Sequence, residues 1–188
     1  MFIQTEQTPN PASLKFLPGR AVVPAGGVQF ETAGDAKASP LAARLFAVAG
    51  VTAVYLGSDF ITVTKGSDRP WPVLKPEILG AIMDHYTSGE ATLSADGPSG
   101  AAGPQSGQAD PDDDDVVAQI KDLIETRVRP AVAQDGGDIV FQGFESGIVY
   151  LRMRGACAGC PSSTATLKMG IENMLKHYVP EVTAVQAV

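Results

Sequence analysis

The chain is poor in the features that build disulfide scaffolds and membrane spans. It has two cysteines among 188 residues, too few for a disulfide framework. Its longest uncharged, apolar-leaning run, residues 45–58, is shorter than the ~18 residues of a membrane span. The N-terminus lacks both the basic start and apolar core of a signal peptide and the Arg-rich composition of a transit sequence. We therefore expect a soluble protein with no membrane partner that is used in the compartment where it is made.

Basic residues are absent from the middle of the chain. Residues 86–115 contain no Lys or Arg and seven Asp or Glu, whereas residues 1–85 and 116–188 each contain seven basic and seven acidic side chains. The net charge of −7 therefore arises in the middle segment alone. Since neither flank has a basic excess, we expect no nucleic-acid partner.

The composition of residues 88–115 is typical of a flexible acidic linker. The segment consists mostly of Gly, Ser, Ala, Pro, Gln and Asp, and Leu93 is its only large apolar residue. Such a segment cannot bury enough apolar surface to offset the entropy lost on ordering. We therefore predict an N-terminal domain at residues 1–87, the linker at 88–115 and a C-terminal domain at 116–188.

Hydrophobic periodicity predicts the α+β class, with two small mixed α/β domains. The C-terminal domain should begin with a helix that Asp114 or Asp115 caps and that Pro130 kinks or divides. After a stop at Gly136-Gly137, the pattern continues as α-β-β-α-β. The later elements are predicted at residues 138–144, 148–153, 162–178 and 182–188.

The N-terminal domain is predicted to be mixed as well. A helix should start at Ser39-Pro40, a hairpin should turn around Gly57-Ser58-Asp59, and a closing helix should cover residues 75–86. The candidate strands are residues 2–5, 14–17, 28–31, 51–56 and 60–64.

Against this background, one close pair of thiols stands between a predicted strand and a predicted helix. Cys157 and Cys160 can supply thiolates, which bind soft metals and iron–sulfur clusters. Pro161 is favoured at the first helical position, which places Cys160 near the N-cap, where the helix dipole lowers a thiol pKa. Gly155 and Gly159 let the backbone turn tightly around an inorganic core.

From the residues alone, the pair fits an iron–sulfur site, a structural zinc site, a thiol–disulfide exchanger or two inert thiols. A site within one chain needs two more ligands. The only histidines are His85, in the other domain and expected on the surface, and His177, expected in solvent roughly 25 Å along the helix from Cys160. The economical solution is therefore a site made by two protomers around a two-fold axis. Such a four-thiolate site suits [4Fe–4S], [2Fe–2S] and zinc equally well.

Other residues suggest packing more than chemistry. Arg152 and Arg154 alternate with apolar residues on a predicted strand, which indicates a solvated strand face or, alternatively, a site for an acidic partner. Trp71, which lies between two prolines, is predicted to anchor a loop. No Ser-His-Asp arrangement or phosphate-binding loop stands out, so the sequence shows no catalytic machinery.

Several motifs resemble a known family. In the C-terminal domain they are Arg129-Pro130-Ala131, Asp135-Gly136-Gly137-Asp138, the run from Gly155 through Cys157 and Cys160 to Ser163, Thr166-Leu167-Lys168 and Gly170-Ile171-Glu172. In the N-terminal domain they are Phe2-Ile3-Gln4-Thr5-Glu6, Thr8-Pro9-Asn10-Pro11, Lys15-Phe16-Leu17-Pro18, Ser39-Pro40-Leu41-Ala42 and Asp59-Phe60-Ile61-Thr62-Val63. The first set resembles the NifU-like, Nfu-type iron–sulfur scaffold domain, and the second the Nfu N-terminal domain.

The resemblance implies an iron–sulfur cluster assembly factor and not an enzyme. It also implies a cytoplasmic protein in a bacterium, or one of the mitochondrial matrix if the chain is a processed eukaryotic one. Cys157 and Cys160 of two protomers would hold a labile [4Fe–4S] cluster between them and pass it to apo-proteins. The implied partners are apo iron–sulfur client proteins, upstream cluster assembly proteins and a second copy of the chain, as a homodimer on cluster binding. A thiol–disulfide oxidoreductase and a zinc-bridged structural dimer are the alternatives.

Overall fold

The computed structural model describes residues 2–24, 26–94, 113–159 and 161–188. The chain divides into two compact units, Met1–Ala101 and Ala102–Val188. Each unit contains helices and one β-sheet, which confirms the predicted α+β class. Within the described residues, no helix is both long and apolar enough to cross a membrane.

The first unit is a five-stranded antiparallel sheet with two helices. Its elements are β1 (Gln4–Gln7), β2 (Ser13–Leu17), β3 (Val28–Phe30), a 3₁₀ turn (Asp35–Ala38), α1 (Pro40–Phe46), β4 (Val51–Leu56), β5 (Ile61–Lys65) and α2 (Trp71–Ser88). The strand order is β1-β2-β5-β4-β3, and each neighbouring pair is antiparallel. The predicted hairpin around Gly57-Ser58-Asp59 is confirmed as the β4–β5 pair.

The core of the first unit lies between the sheet and its helices. Phe16 and Ile61 are neighbours across β2 and β5, and both are fully buried with Leu41 of α1 and Ile78 of α2. Trp71 is partly buried against this core and donates a hydrogen bond from Nε1 to the carbonyl of Pro11 at 2.9 Å. The predicted role of Trp71 as a packing anchor is thereby confirmed.

The ordered first unit continues past Thr87, where composition placed its end. Glu90 forms an ion pair with Arg44 of α1 at 2.8 Å, and Leu93 packs against the core. Burial of that one apolar side chain offsets part of the entropy of ordering the segment. Residues 95–112 of the predicted linker lie outside the described residues.

The second unit combines helical segments with a three-stranded sheet. Its elements are α3 (Asp113–Leu123), a π-helical turn (Ile124–Val128), α4 (Arg129–Gln134), β6 (Gly137–Glu145), β7 (Ile148–Gly155), α5 (Pro161–Tyr178) and β8 (Ala184–Ala187). β7 is central, antiparallel to β6 and parallel to β8. The predicted order α-β-β-α-β is therefore confirmed, with its first helix divided.

The first helix is divided by the π-helical turn, which ends just before Arg129 and Pro130. Arg129 donates its backbone N–H to the carbonyl of Ile124, five residues earlier, so the helix widens for one turn. Pro130 has no N–H, and its ring would clash with the carbonyl four residues before it in a regular helix, which the wider turn avoids. Asp114 and Asp115 lie inside the first turn of α3, so their predicted N-cap position is wrong. Acidic side chains are favoured throughout that first turn by the helix dipole.

β6 and β7 form a hairpin that turns at Ser146 and Gly147. Ser146 and Gly147 have φ values of 50° and 79°, as both central residues of a type I′ turn require. Alternate residues of the hairpin then pack beneath the helices. The fully or nearly fully buried core side chains include Ile120, Ile124, Ile139, Val149, Leu151, Ile171, Leu175 and Val185.

Candidate metal centre

The segment with the two cysteines connects β7 to α5. β7 ends at Gly155 and α5 begins at Pro161, which confirms the predicted placement of the pair between a strand and a helix. Gly155 has a φ of 62°, and its carbonyl accepts a hydrogen bond from the N–H of Ala158 at 3.1 Å, so the chain turns directly after the strand. Cys160 lies outside the described residues, so its predicted N-cap position and its role as a ligand stay predictions.

The thiol of Cys157 is buried against the start of β6. Cys157 is only 6% exposed and belongs to the hydrophobic core of the second unit. A Cβ placed on Gly137 would lie 2.2 Å from Cys157 Sγ, far inside van der Waals contact. Residue 137 must therefore be glycine for as long as the Cys157 thiol stays where it is.

Two hydrogen bonds to backbone carbonyls fix the loop that carries Cys157. The N–H of Ala156 donates to the carbonyl of Gly136 at 3.0 Å. On the other side, Thr164 Oγ1 of α5 donates to the carbonyl of Cys157 at 3.0 Å. The Gly136-Gly137 turn is thus more than the helix stop that the sequence indicated, because it also supports the loop of the candidate ligands.

Electrostatics at Cys157 oppose ionisation. Burial, together with the nearby carboxylates of Asp135 and Asp138, raises the pKa of the Cys157 thiol to about 12. The expectation that a helix N-terminus would lower the thiol pKa concerned Cys160, and it does not extend to Cys157. Cys157 stands four residues before α5 begins, and its sulfur packs against Gly137 in the core.

A buried ion pair lies next to Gly137. Asp138 is 4% exposed and accepts two hydrogen bonds from the guanidinium of Arg129, which also binds Glu125 at 2.8 Å. The hydrogen bond to Asp138 raises the pKa of Arg129 above its ordinary value. The sequence motifs contained Arg129 and Asp138 but gave them no role. Their contact depends on the π-helical turn, which has no simple sequence signature.

Neither histidine belongs to a metal-binding group among the described residues. His177 is exposed near the end of α5, as expected. His85, expected on the surface, is instead fully buried on α2 of the first unit, so that expectation is wrong. It follows Ile78 and Ile82 on the buried side of the helix, at the spacing of an apolar face. Among the described residues, no three His, Cys, Asp or Glu side chains are grouped to hold a metal ion.

Comparison with known proteins assigns both units. The family described as "Scaffold protein Nfu/NifU N terminal" matches residues 3–89, and the family described as "NifU-like domain" matches residues 120–186. "NifU-like protein 4, mitochondrial" of Arabidopsis thaliana is 55% identical over 188 residues, which cover 99% of this chain and 65% of that protein. "NFU1 iron-sulfur cluster scaffold homolog, mitochondrial" of Homo sapiens is 50% identical over 189 residues, which cover 100% of this chain and 72% of that protein.

Among solved structures, a solution structure of a NifU-like protein from Saccharomyces cerevisiae is similar with a TM-score of 0.46 and 27% identity, over 51% of this chain and 87% of that one. The two family matches and the identity to these relatives, of which the chain spans about two thirds, confirm the resemblance seen in the motifs. The chain belongs to the Nfu/NifU-like family of iron–sulfur scaffold proteins, with an Nfu N-terminal domain followed by a NifU-like domain.

Proposed function

We propose that this protein binds a labile [4Fe–4S] cluster through Cys157 and Cys160 of two protomers and transfers it to apo-proteins. The observation that carries the proposal is a single pair of cysteines, placed at the strand–helix junction of a NifU-like domain. A cubane cluster takes four thiolates, and one chain contains two. A second copy of the same loop supplies the missing pair.

A site shared by two protomers suits a cargo that is released again. Because the site forms only between two protomers, its stability depends on protein concentration. Dissociation of the dimer therefore favours transfer over permanent retention.

In this proposal the cluster is cargo and the protein is not an enzyme. Transfer proceeds by exchange of thiolate ligands: each Fe–S(Cys) bond to Cys157 or Cys160 is replaced by one to a cysteine of the acceptor, with no change in iron oxidation state. The partners are upstream cluster assembly proteins, which load the site, and apo iron–sulfur client proteins, which unload it. The names of the relatives contain the word mitochondrial, which favours a mitochondrial compartment over a bacterial cytoplasm.

The rival oxidoreductase hypothesis is constrained by the state of Cys157. A catalytic dithiol needs one accessible thiol that ionises near neutral pH and attacks. Cys157 is buried and its pKa is raised, so it is not suited to be the attacking thiol, and an exchanger would have to attack with Cys160. A zinc-bridged dimer uses the same ligands and is separated from the iron–sulfur proposal by spectroscopy.

The test is anaerobic reconstitution with iron and sulfide. We expect a brown dimer with one [4Fe–4S] cluster per two chains, read by visible and Mössbauer spectra alongside size-exclusion chromatography. Cys157→Ser and Cys160→Ser should each abolish the dimer-bound cluster. Unchanged cluster content in either variant, a monomeric loaded species or a colourless zinc-bound dimer would each contradict the proposal.

A further inference from the structure

The peptide unit between Cys157 and Ala158 is held at both of its polar ends. Its carbonyl, that of Cys157, accepts a hydrogen bond from Thr164 Oγ1 at 3.0 Å. Its N–H, that of Ala158, donates to the carbonyl of Gly155 at 3.1 Å. Thr164 belongs to α5 and Gly155 ends β7, so the helix and the strand together set the orientation of this peptide unit.

The hydroxyl of Thr164 does not follow the usual pattern of a helical threonine. Threonines in helices commonly donate to a carbonyl three or four residues earlier in the same helix. Thr126 of the second unit does so, because its Oγ1 donates to the carbonyl of Asp122, four residues earlier, at 2.7 Å. Thr164 instead reaches the carbonyl of Cys157, seven residues earlier and outside α5. Its hydroxyl therefore connects the helix to the loop of the candidate ligands.

The backbone on either side of this peptide unit is free to take other conformations. Gly155 and Gly159 have φ values of 62° and 79°, and glycine passes between positive and negative φ at little cost. The hydrogen bond from Ala156 to Gly136 fixes the loop before Cys157. The bond from Thr164 fixes the loop after Cys157, so its loss would let the peptide unit turn between the two glycines.

The orientation of this peptide unit matters because it helps to direct the Cα–Cβ bond of Cys157, and with it the sulfur. A cluster accepts its thiolates at fixed positions, and hydrogen bonds behind the ligands keep them there. Thr164 lies on the helix that begins directly after Cys160 in the chain. One hydrogen bond thus couples the backbone of the first candidate ligand to the helix that follows the second.

We propose that Thr164 is a positioning residue, which holds the Cys157 backbone so that Cys157 and Cys160 direct their thiolates to the same cluster. The inference rests on the proposed function and adds a residue to its site. Thr164 is not itself a ligand in this role, since it acts through the carbonyl of Cys157. A chain without the hydroxyl keeps both cysteines but presents them less precisely, so the cluster leaves sooner.

The experiment uses the full-length chain, loaded anaerobically with iron and sulfide. Thr164→Val keeps the shape of the side chain and removes the hydroxyl, whereas Thr164→Ser keeps the hydroxyl. Cluster loss into excess EDTA, followed by visible absorbance, should be about fivefold faster in Thr164→Val, the ratio that one ordinary hydrogen bond gives. The visible circular dichroism of the bound cluster should also change in Thr164→Val. Thr164→Ser should match the wild type in both measurements.

The matched control is Thr126→Val, which removes a hydrogen bond of the same kind from the same unit. The bond of Thr126 stays within its own helical segment, so its loss should leave cluster release at the wild-type rate. Urea unfolding of both valine variants, followed by far-UV circular dichroism, separates a loss of stability from a loss of ligand position. Thr164→Ala, which also lacks the hydroxyl, gives the same comparison if valine is not accommodated.

Three results would overturn the positioning role. Thr164→Val could release its cluster at the wild-type rate, Thr126→Val could be accelerated equally, or Thr164→Ser could fail to restore the wild-type rate. Each of these results requires a wild-type chain that binds a cluster. They are therefore distinct from failure of the proposed function, in which the wild-type chain takes up no cluster and the positioning role falls with it.

Discussion

Arg129 holds both carboxylate oxygens of Asp138, with Nε 2.8 Å from Oδ1 and Nη2 3.1 Å from Oδ2. The backbone N–H of Ile139 donates to the same Oδ1 at 2.8 Å. This bidentate pair ties α4 to the second residue of β6, immediately after Gly137, against which the Cys157 thiol packs. The same ion pair therefore stabilises the second unit and helps to fix the strand against which the candidate ligand Cys157 packs.

Replacement of Arg129 should destabilise the second unit. Arg129→Met keeps the length of the side chain but removes the two hydrogen bonds that the guanidinium donates to the buried carboxylate of Asp138, which costs about 1–3 kcal/mol. Urea unfolding followed by far-UV circular dichroism measures the loss. Trp71, the single tryptophan of the chain, lies in the first unit, and its fluorescence transition should not move.

The control for that experiment is Arg127→Met, two residues earlier on the same turn. Arg127 is exposed and stacks on Tyr178 at 4.8 Å from the ring centroid. Its loss should cost well under about 1 kcal/mol. Equal destabilisation by the two variants would show that the pair with Asp138 is not what stabilises this region.

A methyl group at position 137 should disturb the candidate ligand directly. Gly137→Ala places a Cβ where Cys157 Sγ lies, so either the thiol or the strand must move, at about 1–3 kcal/mol. We expect lower stability together with reduced cluster uptake in anaerobic reconstitution. Gly143→Ala on the same strand is the matched control, because a Cβ there meets no described atom within 4 Å. Equal cluster uptake by the two variants would contradict the contact.

Local pattern was sufficient to predict the order of elements in both units. The turn at Ser146-Gly147 and the helix start at Pro161 each follow from the conformational preferences of one or two residues. The pair of cysteines was likewise placed between its strand and helix by local signals alone.

What the sequence did not reveal depends on contacts between distant residues. The burial of Cys157 follows from Gly137, twenty residues earlier in the chain, and no local property of the Cys-x-x-Cys segment reports it. Two of the misses did have a local signal. His85 continues the apolar spacing of Ile78 and Ile82, and Leu93 is the one large apolar residue in an otherwise polar segment.

The thiol of Cys157 should react slowly until the pH is high. With a pKa raised to about 12, its thiolate fraction at neutral pH is about three thousandfold below that of a free cysteine, whose pKa is near 8.5. In a Cys160→Ser background, where Cys157 is the single cysteine, the iodoacetamide rate should rise about tenfold per pH unit from pH 8 to pH 11. N-acetylcysteine is the reference. A plateau in the Cys157 rate near pH 8.5 would refute the raised pKa.

The first unit should lose stability in mild acid because of His85. Neither ring nitrogen of this buried histidine has a hydrogen-bond partner among the described residues, and its pKa is lowered by burial and then by Arg44, against an opposing effect of Glu90. As the pH falls, the unfolded state therefore takes up a proton at His85 before the folded state does. The contribution of His85 to the free energy of unfolding is complete above about pH 6.5, the ordinary pKa, and is lost as the pH falls through the lower folded-state pKa.

Replacement of His85 by an aromatic residue that does not titrate should remove this pH dependence. His85→Phe retains a ring against Tyr86, now 5.2 Å between centroids, and should lose less stability between pH 7 and pH 5 than wild type, measured by urea unfolding with Trp71 fluorescence. His177→Phe is the matched control, because His177 packs edge-on against Tyr178 at 5.0 Å but is exposed and lies in the other unit. Parallel pH profiles for wild type and His85→Phe would mean that the buried ring does not titrate in this range, whereas a flatter profile in His85→Phe alone assigns the acid sensitivity to this side chain.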